Sequence, residues 1–311
     1  MTLKIVALAG GVGGAKLIQG LSSVSEPESL TCIVNTGDDD IFHGLHVCPD
    51  LDTVMYTLAG LSDTEKGWGL KDESYTVLSS LAALNQDTWF NLGDKDIATH
   101  LVRTNLLSTG QSLTEVTHEI CRRFGVKNKV IPISNAKIST KLISNVGELS
   151  MQEYFVKHRW IPPISKIVYS HDKAQITDEA KQSLIDADLI IICPSNPLLS
   201  IGPMLSVDAA KDLIRNYSYK TICVSPLIGN GSVSGPAGKL MNELGMEASV
   251  VGLGKYYQNF CSWMIIDSSD RMFEPALVQM GFSVKMLPII MNNDHEKISL
   301  ASAVLEVGQH V

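Results

Sequence analysis

Leu3-Lys4-Ile5-Val6-Ala7-Leu8-Ala9-Gly10-Gly11-Val12-Gly13-Gly14-Ala15-Lys16 decides the fold. A short apolar run ends in a cluster of glycines, and Ala15, Leu17, Ile18 and Leu21 then recur at helical spacing. The stretch reads as strand, tight turn, helix. Glycine permits positive φ and close approach of backbone to a ligand. The helix start that follows aims free N–H groups and a positive dipole end at the same point, and a phosphate is the usual occupant. A bare strand-to-helix turn is the alternative, but it does not call for so many glycines.

The loop is not a standard nucleotide motif. Lys16 stands where the third glycine of the dinucleotide fingerprint belongs, and Val34-Asn35-Thr36-Gly37 ends the second strand without a ribose-binding acid. No Gly-Lys-Ser/Thr closes a Walker loop. A nicotinamide dehydrogenase and a P-loop NTPase are both disfavoured.

Further along the chain, apolar runs near 30–34, 129–134, 164–169, 189–193, 221–225, 263–266 and 284–290 alternate with helical patterns. Ser112-Leu113-Thr114-Glu115 is a capping box, with Gly125 as the stop. A helix is expected over 68–84. Continuous Ile/Val/Leu strands between helices imply a parallel sheet covered on both faces. The fold class expected is α/β, a Rossmann-like mostly parallel sheet with helices on both faces and a small inserted α+β segment. The core is placed at 1–134 and 164–311. The insertion is placed at 135–163, where Lys137 to Ile143 alternates as a half-exposed antiparallel strand would.

The 311 residues suffice for a large core, and 45% hydrophobic with 19% charged residues are globular values. A net charge of −8 with no basic stripe argues against nucleic-acid binding. No apolar run reaches membrane-spanning length, and the N-terminus reads as a strand rather than a signal peptide. A cytoplasmic protein is expected. The six cysteines are scattered, with no C-x-x-C pair, and read as buried thiols.

Carboxylates crowd the loops. Asp38, Asp39, Asp40, Asp50 and Asp52 follow the second strand, and Asp94 and Asp96 follow a later extended segment. Hard oxygen ligands near a phosphate loop suggest magnesium. The alternative makes them turn residues and helix caps. His43 and His46 lack a third partner for zinc. Ser195 and Asn196, after a fully apolar strand, can read a base or a phosphate, or simply form a turn. The glycine-rich run from Ser225 to Lys239, with Gly229 inside it, is a second candidate anion site or a lid. No nucleophile elbow and no activated cysteine is evident, so positioning plus a metal on a phosphate is the better guess.

Taken together, Gly10-Gly11-Val12-Gly13-Gly14-Ala15-Lys16, Asn35-Thr36-Gly37-Asp38-Asp39, His43-Gly44-Leu45, Cys48-Pro49-Asp50-Leu51-Asp52-Thr53, Leu92-Gly93-Asp94-Lys95-Asp96, Ser195-Asn196-Pro197 and Gly235-Pro236-Ala237 closely resemble the 2-phospho-L-lactate transferase family of coenzyme F(420) biosynthesis. The likeness spans nearly the whole chain. It implies transfer of a 2-phospholactyl group from lactyl-2-diphospho-5′-guanosine to the ribityl hydroxyl of Fo (7,8-didemethyl-8-hydroxy-5-deazariboflavin), with GMP leaving and Mg2+ required. Some bacterial members use a phosphoenolpyruvyl donor instead. By the same resemblance Asp50 is the catalytic residue, and Asp50 with Asp38 holds the metal. Gly11, Gly13, Gly14, Asn35, Asp38, His43, Asp50, Trp89, Ser195, Asn196 and Gly229 are the expected substrate-binding set, with Trp89 either offering the deazaflavin a stacking face or serving as an ordinary core or surface tryptophan. A homodimer is implied as well. Ser234 stands where the family leads one to expect a lysine, leaving Lys16 or Lys239 to supply that cation. A non-enzymatic nucleotide-sugar-binding regulator is the competing reading.

Overall fold

The computed structural model describes residues 3–64, 66–171, 173–229 and 231–311. Its centre is a seven-stranded parallel sheet in the order Ser283–Leu287, Trp263–Asp267, Thr221–Val224, Leu189–Ile192, Ile5–Ala9, Leu30–Val34, Lys129–Pro132. Ile5 pairs with Leu30 on one side and Leu189 on the other. Successive side chains of a strand point to opposite faces. Ile5, Ala7 and Ala9 accordingly join one core, and Val6 and Leu8 the other. Both faces are buried, which is why the strand reads as an unbroken apolar run. Each fully buried Leu or Ile contributes about 1.5–3 kcal/mol.

The Gly11–Val24 helix packs between the helices Pro49–Leu58 and Asp294–Gly308 on one face. Helices from Asp178–Asp186 to Glu274–Gln279 cover the other. The Leu113–Phe124 helix has its capping box, with Glu115 N–H donating to Ser112 Oγ and Ser112 N–H to Glu115 Oε2, and it stops at Gly125 with φ +72°. Strand order reverses beside Ile5–Ala9: the chain first builds toward Lys129–Pro132, then returns to build the other way. The loops leaving Ile5–Ala9 and Leu189–Ile192 therefore diverge and open a crevice at the carboxyl edge, where ligands of such sheets bind.

Two expectations are corrected. The apolar run at 164–169 does not rejoin the main sheet. It forms Ile164–Ser170, which pairs antiparallel with Ser139–Ser144, itself paired with Gly147–Ser150. The inserted sheet thus extends past residue 163. Ile164 is buried and Ser165 and Lys166 are exposed, whereas the central strands of the main sheet are buried on both faces. The helix expected over 68–84 is only Thr76–Ala83, because Gly67, Gly69 and Asp72 all have positive φ. Around His43 the chain forms a hairpin of Asp40–Phe42 with Leu45–Val47. Its turn, His43 at φ +52° and Gly44 at φ +79°, has the positive φ values that short hairpins require.

Candidate functional site

The crevice is built on Gly10 and Gly11. Gly11 N–H donates to Asp50 Oδ1 at 2.6 Å, and Asn35 Nδ2 donates to Asp50 Oδ2 at 2.9 Å. Asp50 lies in the first turn of the Pro49–Leu58 helix, where the dipole favours a negative charge. Asn35 Nδ2 also reaches Asp38 Oδ1 at 3.3 Å, and Asn35 Oδ1 accepts from Gly37 N–H at 2.8 Å. One buried amide thus joins two buried carboxylates. A Cβ at Gly10 would strike Asp50 Oδ2 and lie 2.7 Å from Ser200 Cβ, so only glycine lets the aspartate seat against the loop.

The charge balance of this crevice is uncompensated. Burial, then the neighbouring charges of Asp50 and Asp39, pushes Asp38 well above the usual carboxylate range. Asp39 is raised by burial as well, although Cys48 and Arg103 act against it, and its Oδ1 is buried without a partner. Burial raises Asp50 to about 6, with the Asn35 and Gly11 hydrogen bonds working against the rise. Two buried carboxylates bridged by one amide are the donors a hard divalent cation takes when phosphate oxygens complete its shell, so Asp38 and Asp50 are the residues that would hold magnesium.

The glycines serve the protein's own packing as much as a ligand. Gly14 has no room for a Cβ against Ser195 Oγ and Ala9, and Gly13 none against the Pro194 carbonyl. Gly10 N–H is taken by Ser195 Oγ at 3.1 Å. The next N–H groups of the Gly11–Val24 helix, Val12 and Gly13, have no intrahelical acceptor and are the ones a phosphate can use.

The other expected residues scatter. Asn196 Oδ1 accepts from Leu198 and Leu199 N–H, capping the Pro197–Ile201 turn. Gly229 has φ +59° and donates its N–H to Asp270 Oδ1, and Asn230 beside it lies outside the described residues. His43 is exposed at its hairpin tip. Trp89 is half-buried, edge-on to Phe42, and the Lys157 ammonium stands 5.4 Å over its ring. Among the carboxylates, Asp94 is a cap, accepting from Ser74 Oγ and from Thr76 and Val77 N–H; these bonds hold it down at about 2. Asp52 faces away from Asp50 into a buried ion pair with Arg103, whose Nη1 also lies 3.0 Å from His100 Nδ1.

The two lysines expected to supply the missing cation differ in their surroundings. Lys239 is held by Glu243, Tyr154 and the Pro162 carbonyl. Lys16 lies where burial and then Lys297 depress its ionisation. Sequence reasoning missed Ser200, which faces Gly10, and Gln152, which reaches Asp38 from the inserted sheet. Only the Ser150-Met151-Gln152-Glu153 capping pattern marked that turn in the sequence.

A family model described as 2-phospho-L-lactate transferase CofD matches residues 5–285. A protein named 2-phospho-L-lactate transferase from Methanosarcina barkeri is 34% identical over 97% of each chain. Another of that name from Methanopyrus kandleri is 37% identical, covering 100% of this chain and 99% of its own. A protein named phosphoenolpyruvate transferase from Streptomyces griseus is 34% identical over 99% of each. Among solved structures, a UPF0052-family protein from Bacillus halodurans shares the fold, with a TM-score of 0.64 at 16% identity, covering 98% of this chain and 99% of its own.

Proposed function

The chain belongs to the 2-phospho-L-lactate transferase CofD family, and from that membership we propose that it moves a 2-phospholactyl group from lactyl-2-diphospho-5′-guanosine to the ribityl hydroxyl of Fo. One observation carries the placement of the chemistry: Asp38 and Asp50 converge through Asn35 on the Gly10-Gly11 turn, at the carboxyl edge where strand order reverses. The hydroxyl oxygen attacks the phosphorus bearing the lactyl group, the bond from that phosphorus to the GMP oxygen breaks, and the hydroxyl loses its proton.

Asp50 accepts a hydrogen bond from the attacking hydroxyl, and Gly11 and Asn35 hold its carboxylate in one orientation. In the metal-free protein burial raises it from the ordinary carboxylate range to about 6, the direction a general base needs. The N–H groups of Val12 and Gly13 bind diphosphate oxygens at the helix start. Asp38 and Asp50 would hold magnesium, which when bound neutralises the charge that builds on the leaving phosphate. We assign Ser195 and Asn196 to the guanosine side, and Trp89, grouped with Phe42 and Phe90, to the deazaflavin. A cytoplasmic homodimer completes this reading. No helix among the described residues is long and apolar enough to cross a membrane.

A phosphoenolpyruvyl donor is the second reading, since a relative named phosphoenolpyruvate transferase is as similar as the lactate-named one. The test incubates protein, Fo and Mg2+ with each donor in turn and follows GMP and the modified deazaflavin by chromatography. Product from the lactyl donor, only with Mg2+, is expected. Product from the enolpyruvyl donor alone would shift the reading to the second. Binding of a UDP-sugar with no turnover of either donor would overturn both.

A further inference from the structure

The inserted antiparallel sheet reaches into the acidic crevice. Ser150 caps the short helical turn that starts at Met151: Glu153 N–H donates to Ser150 Oγ, and Ser150 N–H to Glu153 Oε2 at 2.8 Å. This reciprocal pair fixes the turn on which Gln152 sits. Tyr154, fully buried, anchors it below. Gln152 is 5% exposed, and its Nε2 lies 3.3 Å from both Asp38 Oδ2 and the Asp38 carbonyl. Asp38 is thereby held from two sides, by Asn35 on Oδ1 and by Gln152 on Oδ2. Two other bonds tie the insertion to the crevice without touching a carboxylate. Thr140 N–H donates to the Gly37 carbonyl at 2.9 Å, and Tyr169 Oη donates to the Leu198 carbonyl at 2.7 Å.

We infer that Gln152 is a positioning residue for the cation site, acting through Asp38, and that the inserted sheet is the brace that delivers it. The inference rests on the reading of Asp38 and Asp50 as metal ligands. A long amide suits the task because its Nε2 carries two donors, enough for both Asp38 oxygens, and brings no charge to compete with the cation. Partners of metal-binding carboxylates orient them, and removing one typically weakens metal binding about 10–100-fold.

The test titrates Mn2+ by electron paramagnetic resonance into wild type, Gln152→Leu, Tyr169→Phe and Asp50→Asn, with thermal melts of each. The KM for Mg2+ and kcat are measured in the transferase assay. Gln152→Leu keeps a buried side chain of similar size but cannot donate. It should raise the Mn2+ Kd and the KM for Mg2+ about tenfold, while kcat at saturating Mg2+ stays within about twofold of wild type. Tyr169→Phe loosens the insertion without touching Asp38, so it should lower the melting temperature and leave Mn2+ binding intact. Wild-type Mn2+ affinity in Gln152→Leu would overturn the inference while the metal reading stands. Loss of affinity in both variants in step with their melting temperatures would reduce Gln152 to a structural contact and overturn it too. Wild type that binds no Mn2+, or Asp50→Asn that binds it normally, would overturn the metal reading and this inference together.

Discussion

At the scale of single residues, Asp50 joins the site's parts. It is buried, it faces the Gly10-Gly11 turn, and it shares Asn35 with Asp38. Asp50→Asn should reduce kcat by at least a hundredfold while far-UV circular dichroism stays unchanged, in line with the 10²–10⁴ range of acid–base and positioning groups. Near-normal turnover would remove Asp50 from the centre of the reaction. The same residue makes a stability prediction. Its folded range is about 6 against an ordinary 3.8, so the folded state holds the proton more tightly than the unfolded chain does. Stability from this group is therefore full below about pH 4 and is lost as pH rises through 6, the reverse of a salt-bridged aspartate. The melting temperature of metal-free Asp50→Asn relative to metal-free wild type should therefore rise between pH 4 and pH 8, whatever constant cost the lost hydrogen bond from Asn35 adds. A difference that does not change between pH 4 and pH 8 would contradict the burial argued to raise Asp50. Asp50 and Asp52 also show where sequence reading stops. Both sit in the first turn of one helix, yet residues two apart face different ways. One points to the glycine turn and the other to Arg103.

At the scale of elements, the glycine turn and its helix were legible because an apolar run followed by glycines and a helical stripe has few other readings. The reason for the glycines was only half legible. A fold brings Pro194 and Ser195 against Gly13 and Gly14 from almost two hundred residues away, and no local pattern announces it. Gly13→Ala would press its methyl into the Pro194 backbone carbonyl, which cannot swing aside as a side chain can. It should lower the melting temperature and raise the KM for the guanosine donor more than that for Fo. An unaffected donor KM would separate this helix start from the phosphate. The aromatic wall gives the complementary prediction. Trp89→Ala should raise the KM for Fo more than that for the donor, and equal effects would count against stacking. The Lys157 ammonium stands over one face of the Trp89 ring, so a deazaflavin stacked on that face would displace it.

At the scale of the molecule, the parallel sheet was foreseen because strands buried on both faces leave continuous apolar runs. The membership of Ile164–Ser170 was not, because pairing between distant strands depends on neighbours that a single apolar run does not specify. Its place in the brace, like that of Gln152, emerges only when the insertion folds over the crevice. Beneath the site, Arg103 is 1% exposed and joins Asp52, the His46 carbonyl and His100. It ties the 40–47 hairpin to the Asp94–Ser108 helix. Arg103→Met should cost about 3–5 kcal/mol by leaving Asp52 buried and unpaired. Adding Asp52→Asn should recover part of that loss in chemical denaturation, and no recovery would mean that Arg103 matters chiefly for its contacts to His46 and His100.

Two acidic groupings among the described residues are candidates for a cation: Asp38 with Asp50 in the crevice, and Asp52 with Asp96 and His100. Anomalous diffraction from crystals grown with Mn2+ and GMP would decide between them. One peak is expected at the ~2 Å of a metal–oxygen bond from Asp50 and Asp38, with the GMP phosphate against the N–H groups of Val12 and Gly13. A peak at Asp52, Asp96 and His100 with none in the crevice, or a phosphate bound away from the glycine turn, would contradict it.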